Sequence, residues 1–158
     1  MTAIRPVSVQ DADQLARLRW DFRIVGGTLP STTLDEFVAE MRSFVGDLLA
    51  EGTAWRAWVA EDGERLVGCV WIQVIERVPH PNLRRGERPI VYVTNMYVVP
   101  ELRNGGIGRE LLDAAVAHAR ELKASAAILW PSSRSISFYR RAGFGREDAP
   151  LLLPLEGD

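Results

Sequence analysis

The segment Val98-Val99-Pro100-Glu101-Leu102-Arg103-Asn104-Gly105-Gly106-Ile107-Gly108-Arg109 constrains this chain more than any other. A β-rich run, Pro89–Val99 (PIVYVTNMYVV), stops at Pro100 and a glycine-rich turn follows. Gly108–Lys123 then carries Leu111, Ala115, Ala119 and Leu122 on one helical stripe. Glycine accepts a positive φ and lets a ligand approach the backbone without meeting a Cβ. The first turn of a helix offers unpaired N–H groups at the positive end of its dipole. Strand, glycine turn and helix in this order make an anion site suited to phosphate or pyrophosphate. Two common phosphate motifs do not fit. No Gly-Lys pair follows, as a P-loop requires. Gly106-x-Gly108 leads to Leu111 where a dinucleotide fingerprint has its third glycine.

The remaining periodicities supply an α/β frame. Ala3–Val9 reads as an edge strand limited by Pro6. Asp11 or Asp13 caps a helix to about Ile24, and Gly26-Gly27 breaks the chain. Ser31 or Thr32-Thr33, followed by Asp35-Glu36, opens a second helix that Gly52 closes. Trp55–Ala60 and Leu66–Ile75 form a hairpin across the Asp62-Gly63 turn. Arg77–Glu87 reads as a loop, Ala126–Trp130 as a short strand, Ser133–Ala142 as a short helix stopped by Gly143, and Leu151–Leu155 as a last strand. The expected order is β-α-α-β-β-β-α-β-α-β, one domain over residues 1–158.

Composition narrows the function. A net charge of −2 gives no global attraction for nucleic acid or anionic lipid. The lone Cys69 rules out an internal disulfide framework, and His80 and His118 lack metal-ligand spacing, so no metal is expected. No apolar run reaches the ~18–20 residues needed to span a bilayer, and the first residues lack a signal-peptide core. A soluble, cytoplasmic protein without membrane or nucleic-acid partners is the expectation.

At Arg103-Asn104-Gly105-Gly106-Ile107-Gly108 the chain resembles the GCN5-related N-acetyltransferase (GNAT) superfamily, whose phosphate loop reads Arg/Gln-x-x-Gly-x-Gly/Ala. Met96-Tyr97-Val98 before Pro100 matches the strand that leads into that loop. A second block, Ser132–Phe144 (SSRSISFYRRAGF), is similar to the family's Asn-x-x-Ala-x-x-x-Tyr-x-x-x-Gly-Phe segment. Tyr139, Gly143 and Phe144 match, while Ser132 and Ser135 stand where Asn and Ala are usual. The resemblance, closest over residues 55–144, implies a twisted mixed sheet flanked by helices, with two parallel strands splayed at the coenzyme site. It implies acetyl-CoA as co-substrate and acyl transfer to an amine of a small molecule or peptide by direct attack. Dimers are common in such families, so a homodimer is possible.

On that resemblance, backbone groups of Met96 and Val98 bond the pantetheine arm, with Tyr97 between them. Arg103, Asn104, Gly105, Gly106, Ile107, Gly108 and Arg109 hold the pyrophosphate, and Ser132 and Ser135 border the coenzyme. An alkyl amine has a pKa of ~10.4, so only about one molecule in 10³ is neutral at pH 7 and a base or water chain must take its proton. The departing thiolate resembles cysteine at pKa ~8.5, and a phenol near ~10 can protonate it. Tyr139 is the candidate acid. Relatives carry a Glu where Thr94 or Asn95 stands, or near Ala127; here neither carboxylate is present. Glu76, acting through water, and Asp21 are the alternatives. Trp20 is a candidate acceptor contact; His118 and Cys69 read as structural, and His80 with Arg84, Arg85 and Arg88 as solvated. Two rival readings stand beside the enzyme: an acyl-CoA-binding module without catalysis, and a nucleotide-binding protein of another class.

Overall fold

The computed structural model describes residues 1–50, 52–79, 81 and 88–145. Its elements are β1 (Thr2–Pro6), α1 (Ala12–Val25), α2 (Leu34–Leu48), β2 (Trp55–Asp62), β3 (Arg65–Ile75), β4 (Ile90–Val98), α3 (Ile107–Glu121), β5 (Ala126–Ile128) and α4 (Ile136–Arg141). The strands form one mixed sheet in the order β1-β2-β3-β4-β5, antiparallel except for the β4–β5 pair. The expected strand at Leu151–Leu155 lies outside the described residues.

Sequence chemistry explains where each element stops. Pro6 ends β1 three residues earlier than expected, and the Val7 N–H turns to the carbonyl of Ala57. α1 is not capped by an Asp11 or Asp13 side chain. Ser8 precedes a single 3-10 turn, Val9–Asp11, and its N–H and hydroxyl both donate to the Asp11 carboxylate at 2.7 and 3.0 Å. Asp13 instead faces Arg42 of α2. Thr33 caps α2 with reciprocal bonds to Glu36, as the Thr-x-x-Glu spacing predicts. Lys123, at φ 54°, takes the left-handed conformation just beyond α3. β5 stops at Ile128 rather than Trp130, because β4 no longer lies alongside it.

Cross-strand registers sort the sheet into two faces. Trp55, Gln73 and Tyr92 align, as do Ala57, Trp71 and Thr94, and Val59, Cys69 and Tyr97. α1 covers this face, with Phe22 stacked on Tyr97 at 5.3 Å between ring centroids. Gly68, Val70 and Ile72 point to the other face, under α3. There the backbones approach so closely that a Cβ on Gly68 would sit 2.9 Å from the Tyr97 carbonyl and 3.1 Å from Leu111 Cδ1. Leu15, Ala16, Val45, Val59, Val70, Ile72, Leu111 and Leu112 are essentially inaccessible and form the continuous core of both layers.

Candidate active site

The site is created by a defect in the sheet. Cys69 pairs with Tyr97, but Trp71 pairs with Thr94, so β4 carries one extra residue at Asn95–Met96. Asn95 takes φ 47°, a left-handed conformation that asparagine tolerates better than most residues. Its side-chain oxygen accepts from Arg19 Nη1 at 2.8 Å, and its carbonyl faces the Cys69 thiol at 3.6 Å. The bulge bends β4 where it leaves β5, whose pairing is confined to Ile90–Tyr92 with Ala126–Ile128. Beyond those three pairs the parallel strands part, and the gap opens toward the glycine turn.

That turn is shaped by two left-handed residues, Asn104 (φ 65°) and Gly106 (φ 94°), with Gly106 at the N-cap of α3. At Gly106 a side chain would be strained by the backbone conformation itself. At Gly108 the limit is space: a Cβ would lie 3.4 Å from Met96 Cε and 3.7 Å from the Phe138 ring. Arg103 folds back, donating from Nε to the Val98 carbonyl at 2.9 Å, with its guanidinium 5.5 Å from the centre of the Tyr97 ring. Arg109 donates to Asp113 one turn along α3.

α4 brings Tyr139 to the same opening. The helix ends with Gly143 at φ 96°; the Gly143 N–H bonds the Arg140 carbonyl and the Phe144 N–H bonds that of Tyr139, each at 3.0 Å. This is the closure by which a left-handed glycine caps a helix, completed by contact between the residue after glycine and the last turn. Here that contact is Phe144 against Tyr139, edge to face with centroids 5.8 Å apart. The Tyr-x-x-x-Gly-Phe spacing is therefore a device that anchors one tyrosine. Its hydroxyl donates to Met96 Sδ at 3.6 Å, and burial pushes the phenol above its ordinary pKa.

A cavity of about 550 Å³ results, lined on one side by Met96, Tyr97 and Val98, at its base by Arg103, Asn104, Gly106, Gly108 and Arg109, and on α4 by Ser135 and Tyr139. Three of the residues singled out in the sequence do not line it. Ile107 is buried, Gly105 is exposed, and the Ser132 hydroxyl pairs with that of Ser135 at 3.0 Å. Phe138 and Arg141 line the cavity and were missed. The signal was there: Ser135, Phe138 and Tyr139 share one helical face at i, i+3 and i+4.

The other candidates fall elsewhere. Glu76 and Asp21 are exposed and line no cavity described for this chain. Trp20 stacks on Phe37 of α2 at 5.8 Å. His118 packs against Trp58 at 5.4 Å, with Nδ1 3.4 Å from Glu121. Arg88 is exposed, whereas His80, Arg84 and Arg85 lie outside the described residues. Cys69 is nearer the site than its sequence position suggests, because the register sets it under the bulge. Burial pushes its thiol up to about 12, so it is not a nucleophile at neutral pH. Among the described residues no cluster of three or more His, Cys, Asp or Glu could hold a metal ion, and no helix is long and apolar enough to cross a membrane.

Comparison with known proteins gives this geometry a family. The acetyltransferase (GNAT) domain matches residues 53–146, more than half of the chain. A mycothiol acetyltransferase of Propionibacterium freudenreichii subsp. shermanii is 38% identical over 87 residues, 53% of this chain and 25% of that protein. One from Geodermatophilus obscurus is 30% identical over 92 residues, 56% of this chain and 28% of that protein. The matched segment thus spans only about a quarter of these curated relatives. A solved structure described as a predicted acetyltransferase with acetyl-CoA, from Clostridium acetobutylicum, superposes with a TM-score of 0.79 at 27% identity, covering 98% of this chain and 97% of that one. With the glycine turn, the parted strands and the anchored tyrosine all inside the matched segment, the chain belongs to the GNAT acetyltransferase domain family.

Proposed function

We propose that the chain transfers an acetyl group from acetyl-CoA to the amine of an acceptor by direct attack. One observation carries this reading: the end of β4 beyond its pairing with β5, the glycine turn and α4 line a single cavity, with Tyr139 at its wall. Acetyl-CoA, which supplies an activated acetyl thioester, fits that shape and chemistry. Its volume lies in the range of small-molecule and cofactor sites. The side-chain-free faces of Gly106 and Gly108 leave the floor open to a diphosphate, at the N-terminus of a helix fifteen residues long. Arg103, Asn104 and Arg109 surround that floor, and Met96 and Val98 offer backbone groups for the amide-bearing arm.

In this reading the amine nitrogen attacks the carbonyl, a C–N bond forms and the C–S bond breaks. The backbone at the β4 bulge is the nearest source of an N–H for the developing oxyanion, a contribution of roughly 3 kcal/mol by analogy with other oxyanion donors. Tyr139 gives its proton to the departing sulfur and regains one from solvent. The amine loses its proton to water, because among the described residues no carboxylate lines the cavity. The raised pKa of Tyr139 keeps the phenol protonated throughout the neutral range. A buried, unreactive Cys69 is consistent with transfer without a covalent acyl-enzyme and with a cytoplasmic setting.

The test is calorimetric titration with acetyl-CoA, using Gly106→Glu as the control. Saturable binding that the substitution abolishes is the expected result. No binding by the unmodified protein would overturn the reading, and competition by ATP but not by coenzyme A would select the nucleotide-binding alternative.

A further inference from the structure

A second cavity, about 180 Å³, lies between β4 and the α1–α2 layer, beside the bulge. It is lined by Arg19 of α1, Met41 and Phe44 of α2, Trp55 of β2, Trp71 of β3, and Thr94 and Asn95 of β4. The two cavities are thus walled by consecutive β4 residues: Thr94 and Asn95 here, Met96 to Val98 there. Thr94 and Met96 flank the bulge, beyond the last residue of β4 that pairs with β5.

The chemistry of this second cavity is lopsided. Arg19 has five N–H donors, of which one is used, by the Asn95 amide oxygen at 2.8 Å. Among the described residues no carboxylate lies within 4.0 Å of it, although Arg5, Arg42, Arg65 and Arg109 each have such a partner. Burial, with Arg23 nearby, holds its pKa below the ordinary arginine value, the sign of a cation lacking a counter-charge. The remaining walls are apolar and aromatic. Phe44 lies 5.8 Å from Trp55 and 5.6 Å from Trp71. A partly desolvated guanidinium is stabilised most by a planar anion that it can grip with two parallel hydrogen bonds.

We propose that this cavity receives the acceptor, and that the acceptor is an amino-acid-class amine whose carboxylate pairs with Arg19 and whose apolar or aromatic side chain lies against Phe44, Trp55 and Trp71. The inference rests on the acetyl-transfer reading above and specifies its second substrate. The same geometry disfavours polyamines and other polycations, since among the described residues the cavity presents a cation and no carboxylate to hold a second positive charge. The reaction balances as before: the α-amine becomes an amide, the thioester becomes a thiol, and one proton leaves the amine while one reaches sulfur.

The experiment compares phenylalanine, phenylalanine amide and phenethylamine as acceptors with acetyl-CoA, and measures binding of N-acetylphenylalanine and its amide by tryptophan fluorescence. Phenylalanine is expected to show kcat/KM about 10²-fold above both analogues that lack the carboxylate. The acetylated acid is expected to bind and its amide not to. Arg19→Met should remove the preference by raising KM for the amino acid, with acetyl-CoA affinity unchanged, and Arg19→Lys should restore part of it. The acid-against-amide comparison needs no variant, so a misfolded Arg19→Met does not blunt the test. Equal handling of acid and amide, or no binding of the acetylated acid by a protein that binds acetyl-CoA, overturns the acceptor assignment alone. Failure to bind acetyl-CoA overturns the transfer reading and this inference together.

Discussion

Tyr139 reaches the cavity from a helix of only six residues, its hydroxyl 3.6 Å from the Met96 sulfur. Because burial raises its pKa, the acid form is present at neutral pH and persists past the ordinary phenol value of ~10. The kcat profile should therefore show no alkaline fall from this group below that pH. Tyr139→Phe should lower kcat about 10²-fold while calorimetry finds acetyl-CoA affinity unchanged. A parallel loss of affinity would make Tyr139 a binding residue instead. Cys69 illustrates the opposite case, a reactive atom made inert by position. With its thiol pushed up to about 12 in a fully buried site, it should resist alkylation in the native protein and react only on unfolding. Thiol titration with and without denaturant checks this, and Cys69→Ala should keep its turnover.

At the scale of elements, the site depends on how two of them end. α4 is too short to be stable alone, and its geometry rests on the glycine closure that follows it. Gly143→Ala places a Cβ on a backbone with φ 96°, which costs about 1–2 kcal/mol. It should lower Tm and also reduce kcat, because Tyr139 and Phe144 lose their common anchor. A Tm loss with unchanged kcat would separate the closure from catalysis. β4 ends its pairing with β5 after three residues, and the bulge at Asn95 turns the strand just there. The Arg19–Asn95 bond joins that bulge to α1 on the side of the second cavity.

For the whole molecule, a partly buried ion-pair cluster joins the edge of the sheet to the helical layer. Arg5 of β1 donates to both oxygens of Asp11 at 2.7 and 2.8 Å and to both of Glu61 at 2.9 Å. Asp11 is only 5% exposed. Burial alone would raise its pKa, but the Arg5 guanidinium and the Ser8 N–H and hydroxyl bring the carboxyl below its ordinary value. A depressed carboxylate contributes stability above its unfolded pKa, near ~3.9, and that contribution is lost as pH falls through the folded value. Asp11→Asn should thus destabilise the protein at pH 7 by about 3 kcal/mol and by much less near pH 3. Denaturant unfolding at both pH values measures the difference, and equal losses would show that packing rather than charge is at stake.

Local chemistry made much of this molecule legible in one dimension. Pro100, the glycine turn and the stripe of α3 follow from rules about single residues and periods, and so do the Thr33–Glu36 cap and the Asp62-Gly63 hairpin. Tyr139 is singled out by the resemblance, whose Tyr-x-x-x-Gly-Phe segment fits inside one short stretch of chain. Where partners are distant in sequence, the reading ran out. Nothing local marks Asn95 as a bulge, since its extra residue exists only relative to β3. Nothing local tells Arg19 from the other arginines of α1, because its missing counter-charge is a property of what α2, β2, β3 and β4 bring around it. Phosphate loops are built from neighbours and can be read from a string. A second substrate's pocket is assembled from five elements, and only their packing decides what it holds.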